Sequence, residues 1–220
     1  VTVPKDRLGW ALESRRLYLC TPDRPDLETF VAQCIDGGVD VVQLREKHLA
    51  DGPLIERAGV VQRICRDRGV PFVLNDRPDL AAEMGADGVH VGQEDMTPTQ
   101  TRALMGTDAM IGLSTHGSDD LESALQEKAI DYISAGPVTP TPTKPGRPGT
   151  GLAYVSQAAE SAPWSVWITG GVQPVTVAEM VAAGARHFVV VRWLTESEDP
   201  KSAAHQLRRA IDEAIAATEN

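Results

Sequence analysis

In this chain, polar side chains of a few telling types stand where short apolar runs end. In QLREK, residues 43–47, strand alternation puts Gln43, Arg45 and Lys47 on one face and Leu44 and Glu46 on the other. An amide and two cations on one face can hold an anion; alternatively the cations pair with neighbouring acids. Asn75 and Asp76 end the next run, and Asp95 follows in GQED. Two carboxylates beside cations suit Mg²⁺, which takes one or two carboxylates and completes its octahedron with water and substrate phosphate. Taken singly, each would serve as a helix N-cap, Asp76 before Pro78 and Asp95 before the following helix. Ser114, after MIGL, is a phosphate donor or again a cap. His90 lies within a strand and reads as a packed, hydrogen-bonded core histidine. His116 is open between general base and structural roles.

The stretch TPTPTKPGRPGTG, residues 139–151, has four prolines, four threonines, three glycines and two cations without a large apolar side chain. It reads either as a solvated linker between domains or as a loop that holds an anion. Thr141, Thr143, Lys144 and Arg147 offer hydroxyls and charge on a backbone that proline restricts before a ligand arrives.

Eight compact runs decide between these readings. They are residues 17–21, 40–46, 72–76, 88–92, 110–115, 132–137, 166–171 and 187–192. Helical segments follow them, with Pro53 early in one and Gly69 at its end, Pro78 and Gly85 bounding another, and Gly184 closing a third. Alternating short buried strands and helices specify a parallel sheet, and eight units in 220 residues specify an α/β fold of the (β/α)₈ TIM-barrel type. No dinucleotide fingerprint follows the first run, which disfavours an open doubly wound sheet. No composition shift divides the chain, so residues 1–220 are expected to form a single catalytic barrel domain. The 139–151 stretch then becomes the loop after strand six, at the rim where such barrels build active sites. Gly170 and Gly171 end strand seven, and Val191 and Arg192 end strand eight, where many such barrels bind phosphate through loop N–H groups and a short helix.

A formal net charge of −10 disfavours a nucleic-acid surface. No apolar run reaches the roughly 18 residues of a membrane span. Residues 1–17 carry charge throughout and lack the apolar segment of a secretory signal. Cys20, Cys34 and Cys65 make an odd count without a CxxC pair, which fits buried thiols in a reducing compartment. A cytoplasmic protein is expected, acting on small molecules, with neither nucleic acid nor membrane as partner and assembly into a homo-oligomer left open.

QLREK, Asn75–Asp76, GVHVGQED at 88–95, Ser114 of IGLSTH, GPVTPTPTK at 136–144 and GGV at 170–172 together resemble the thiamine phosphate synthase family. Each piece alone is a weak motif; six in order at strand ends are specific. The resemblance implies a transferase of thiamine biosynthesis that joins a pyrimidine methyl diphosphate to a thiazole phosphate. Pyrophosphate is released, with Mg²⁺ as cofactor. It further implies that Gln43, Leu44, Arg45, Glu46 and Lys47, with Asn75, Ser114 and Lys144, hold the pyrimidine diphosphate, and that Asp76 and Asp95 hold Mg²⁺. Thr141, Pro142, Thr143, Gly171, Val191 and Arg192 would contact the thiazole phosphate. Arg45, Lys47, Ser114 and Lys144 would act on the leaving group. Thr139 stands where the family usually has an aromatic residue, and Arg192 where many members have serine. An arginine there can hold the same phosphate bidentately. Two rival readings are a barrel enzyme acting on one phosphorylated substrate, such as a tautomerase or epimerase, and a sensor that binds a phosphate ligand without turnover.

Overall fold

The structure, a computed structural model, describes residues 11–142, 146 and 148–219. Thr143, Lys144 and Arg147, expected at the site, lie outside the described residues.

Eight strands pair in parallel and in sequence order, and β1 closes on β8 to make a barrel. They are β1 (Leu17–Thr21), β2 (Val41–Leu44), β3 (Phe72–Asn75), β4 (Gly88–Val91), β5 (Met110–Thr115), β6 (Tyr132–Ala135), β7 (Ser165–Ile168) and β8 (His187–Val190). Between them run α1 (Leu27–Asp36), α2 (Asp51–Asp67), α3 (Pro78–Met84), α4 (Pro98–Met105), α5 (Ser118–Ala124), α6 (Gly151–Ser161) and α7 (Pro174–Ala182). After β8 come the short α8 (Arg192–Thr195) and the long α9 (Pro200–Thr218). No helix among the described residues is long and apolar enough to cross a membrane.

The eight runs read from the sequence are the eight strands because each supplies two sets of side chains to two dry spaces. Leu17 and Leu19, Val42 and Leu44, Phe72 and Leu74, and their counterparts pack outward beneath the helices. Each Leu or Phe buried there contributes about 1.5–3 kcal/mol by leaving water. The alternate residues point into the barrel. Near the N-terminal ends of the strands this interior is apolar and aromatic, with Val41, Val73, Met110, Tyr18, Tyr132 and Trp167. Toward the C-terminal ends it turns polar, through Gln43, Asn75, His90, Ser114 and Ser134, all buried. A buried polar layer is stable only if its groups are paired or reserved for a ligand. That gradient places the site.

Helix boundaries follow from local chemistry. Pro78 opens α3, and Gly85 closes it with φ 64°, left-handed. The N-cap position of α3 is Arg77, so Asp76 does not cap that helix. Thr97 caps α4 in a reciprocal box with Gln100, so Asp95 does not cap α4. Both carboxylates are thereby left for other work.

Candidate active site

One cavity of about 690 Å³ opens at the C-terminal end of the barrel. Gln43, Asn75 and Ser114 line it from β2, β3 and β5, Arg45 from just past β2, Thr141, Gly171 and Val191 from the loops after β6, β7 and β8, and Arg192 from the start of α8. Residues far apart in the sequence thus share one mouth. Gly171 has φ 79°, and a Cβ there would strike Thr139 Oγ1, so only glycine lets the turn after β7 close on the loop after β6. Thr139, small where an aromatic side chain was expected, also lines the cavity.

One expectation needs correction. β2 ends at Leu44, so strand alternation does not carry Lys47 into the cavity. Instead the chain turns, and Lys47 Nζ sits 2.8 Å from Asp76 Oδ2 beside the mouth. The side chain of Leu44 is fully buried in the outer core, leaving only its backbone for a ligand. Glu46 accepts from the backbone N–H of His48 (2.8 Å) and of Asp23 (3.3 Å), which shapes the turn. The backbone N–H of His116 donates to Asp120, and its Nδ1 lies 2.6 Å from Gly136 O.

Asp76 and Asp95, the expected metal ligands, lie close enough to influence each other's charge. Asp76 has φ 60°, unusual for a residue with a Cβ, and its N–H donates to His90 O at 2.8 Å. Asp95 Oδ2 accepts from Gly92 N at 2.7 Å. The two carboxyl groups are near enough to perturb each other's titration. Burial pushes Asp76 upward, but Lys47 and Asp95 outweigh it and hold the carboxyl below the usual range. Burial and the neighbouring Asp76 push Asp95 the other way, above that range, despite the Gly92 N–H. Two neighbouring carboxylates disfavour each other's charge, a cost that a dication between them would relieve. They are hard oxygen donors, suited to Mg²⁺ or Ca²⁺ and unsuited to soft metals. Among the described residues no group of three or more His, Cys, Asp or Glu could hold a metal. The other coordination positions of an ion on this pair would therefore fall to water and ligand oxygens.

Below the mouth lies a hydrogen-bonded series that the sequence did not announce. Gln43 Nε2 donates to Tyr18 Oη (2.8 Å), which lies 3.0 Å from Tyr132 Oη. Tyr132 Oη is 3.1 Å from His90 Nδ1, and His90 Nε2 is 2.9 Å from Ser114 Oγ. Burial pushes both phenols above their ordinary range. The signal for this arrangement was Gly112, a glycine inside a strand. It pairs with His90 on one side and Tyr132 on the other, and a Cβ there would strike both rings. Asn75 is buried and lines the same cavity, and its side-chain amide helps to hold the Asp76 carboxyl low.

The chain matches the family model described as thiamine monophosphate synthase over residues 17–194. It is 43% identical over 210 residues to the thiamine-phosphate synthase of Thermobifida fusca, covering 94% of this chain and 96% of that one. Identity to a thiamine-phosphate synthase of Thermus thermophilus is 44% over 206 residues, with 93% of each chain covered. The solved thiamine phosphate pyrophosphorylase from Pyrococcus furiosus superposes with a TM-score of 0.83 at 26% identity, over 96% of this chain and 98% of that one. Matched from the first strand of its barrel to the short helix after the last, this chain belongs to the thiamine monophosphate synthase family.

Proposed function

We propose that the chain, acting as one catalytic domain, condenses 4-amino-2-methyl-5-(diphosphooxymethyl)pyrimidine with a thiazole phosphate to give thiamine phosphate and pyrophosphate. The observation that carries this reading is one cavity lined by two distinct sets of groups. One set, Gln43, Arg45, Asn75 and Ser114, lies beside the Asp76–Asp95 pair. The other, Thr141, Gly171, Val191 and Arg192, faces it across the mouth. A one-phosphate enzyme or a sensor needs only one such set.

In the reaction the bond between the pyrimidine methylene carbon and its diphosphate oxygen breaks, and the oxygen keeps the electron pair. The thiazole nitrogen supplies the pair for the new carbon–nitrogen bond. No proton need be abstracted to form that bond, so the reaction asks for no side-chain nucleophile or base. The chain's task is to position two substrates and to stabilise charge growing on the leaving group. Arg45 meets the diphosphate as a planar fork, and Ser114 and Asn75 donate to acceptors at the floor of the cavity. Lys47, paired with Asp76, is within reach of the same rim, and the family resemblance would add Lys144, which lies outside the described residues. Asp76 and Asp95 would hold Mg²⁺, which when bound neutralises charge on the departing diphosphate. Arg192 would hold the thiazole phosphate with backbone N–H groups near Gly171. The buried thiols of Cys20, Cys34 and Cys65, none of them in a disulfide, support a cytoplasmic setting for this chemistry.

The test is direct. Purified protein given both substrates and Mg²⁺ should form thiamine phosphate and pyrophosphate in equal amounts. Binding of both substrates without product would support the sensor reading instead, and turnover of the thiazole phosphate alone would support a one-substrate enzyme.

A further inference from the structure

We infer that Tyr18, Tyr132 and His90 form a one-way hydrogen-bond relay that turns the Ser114 hydroxyl into an obligate donor toward the cavity, making His90 and Tyr132 positioning residues for the bound diphosphate. The inference rests on the proposed function for the identity of the ligand; the direction of the relay rests on proton counting alone.

The counting begins at Gln43, whose amide nitrogen can only donate, so Tyr18 Oη accepts there at 2.8 Å. The opposite orientation of the amide is disfavoured because Gln43 Oε1 already accepts from Cys20 Sγ at 3.3 Å. Tyr18 then spends its own hydrogen on Tyr132 Oη, 3.0 Å away. Tyr132 in turn spends its hydrogen on His90 Nδ1 at 3.1 Å. Both phenols are held in the protonated state by burial, so the hydrogens are present to be passed along. With Nδ1 accepting, the imidazole carries its proton on Nε2. That N–H points at Ser114 Oγ (2.9 Å), with Ser134 Oγ farther off at 3.3 Å. Ser134 Oγ also donates to Ser114 Oγ at 3.4 Å.

A serine hydroxyl has two acceptor sites and one hydrogen. Both acceptor sites of Ser114 are used from below, and only its hydrogen is left for the cavity that it lines. Asn75, buried at the same level, lines the same space. At Ser114 the floor therefore offers a donor, which is the polarity that a diphosphate oxygen requires. Gly112 serves this device directly, since its missing side chain lets His90 and Tyr132 meet.

Two measurements test the relay. In the full chain labelled at histidine nitrogens, long-range ¹H–¹⁵N correlation spectra should show His90 as the Nε2–H tautomer. Its signals are identified by their loss in His90→Gln. The Nδ1–H tautomer would overturn the relay whatever the protein catalyses, whereas failure of the wild type to form thiamine phosphate would overturn the proposed function. In kinetics, Tyr132→Phe should lower kcat/KM for the pyrimidine diphosphate about tenfold, the size of one lost hydrogen bond. In a Ser114→Ala background the same change should have less than about a twofold effect, because the hydroxyl it orients is gone. A full tenfold loss in both backgrounds would mean that Tyr132 acts structurally and would overturn the positioning role.

Discussion

Arg45 and Asp76 separate the two kinds of work that the site divides among its side chains. Arg45 lines the cavity and is excluded from the dry core, so Arg45→Ala should lower turnover about ten- to hundredfold, as expected for a lost charge-assisted contact. Its unfolding midpoint should stay near that of the wild type, and a matching loss of stability would contradict the assignment. Asp76→Asn should weaken Mg²⁺ binding, measured by titration calorimetry with pyrophosphate present, by about tenfold or more. An unchanged titration would move the metal elsewhere. At this scale the sequence disclosed the residue types well, because amides, cations and acids at the ends of apolar runs stand out. It misplaced Lys47, since alternation holds only while the strand lasts and β2 stops at Leu44. It did not disclose that Tyr18 and Tyr132 join Gln43 to Ser114, because tyrosines inside apolar runs look like ordinary core.

The strands and helices were legible in outline because each is a local pattern. β-Branched runs marked all eight strands, and proline and glycine marked helix ends such as Pro78 and Gly85. What local patterns cannot convey is which residues become neighbours across strands, and Gly112 in β5 is the clearest case. Gly112→Ala should destabilise the fold by about 1–3 kcal/mol through overpacking against Tyr132 and His90, measured by urea unfolding. A neutral change would contradict the close approach. At the start of β8, His187 is buried against Trp167 and bonded through Nδ1 to Arg15 O at 2.6 Å. Burial pushes its pKa down to about 4 from an ordinary value of 6.5, with Arg16 and Arg186 adding to the fall against the Arg15 bond. Because the unfolded chain binds the proton first, this residue's contribution to stability is complete above pH 6.5 and is lost as pH falls toward 4. His187→Asn should remove that pH dependence, which amounts to about 3 kcal/mol across the window. Equal slopes for the wild type and the variant between those limits would refute it.

At the scale of the whole molecule, the barrel works because its interior changes character along its axis. Val41, Met110, Tyr132 and Trp167 close the lower part, and the polar layer above them is presented upward to one mouth. Loops from distant parts of the sequence meet there. The central claim is that this mouth holds a departing diphosphate between the Asp76–Asp95 pair and the groups on β2, β3 and β5. A crystal structure of the protein with pyrophosphate and Mg²⁺ measures that claim most directly. It should show the metal on Asp76 and Asp95, with pyrophosphate oxygens contacting Arg45, Asn75 and Ser114. Pyrophosphate bound only outside the mouth, or a metal held by neither carboxylate, would contradict it.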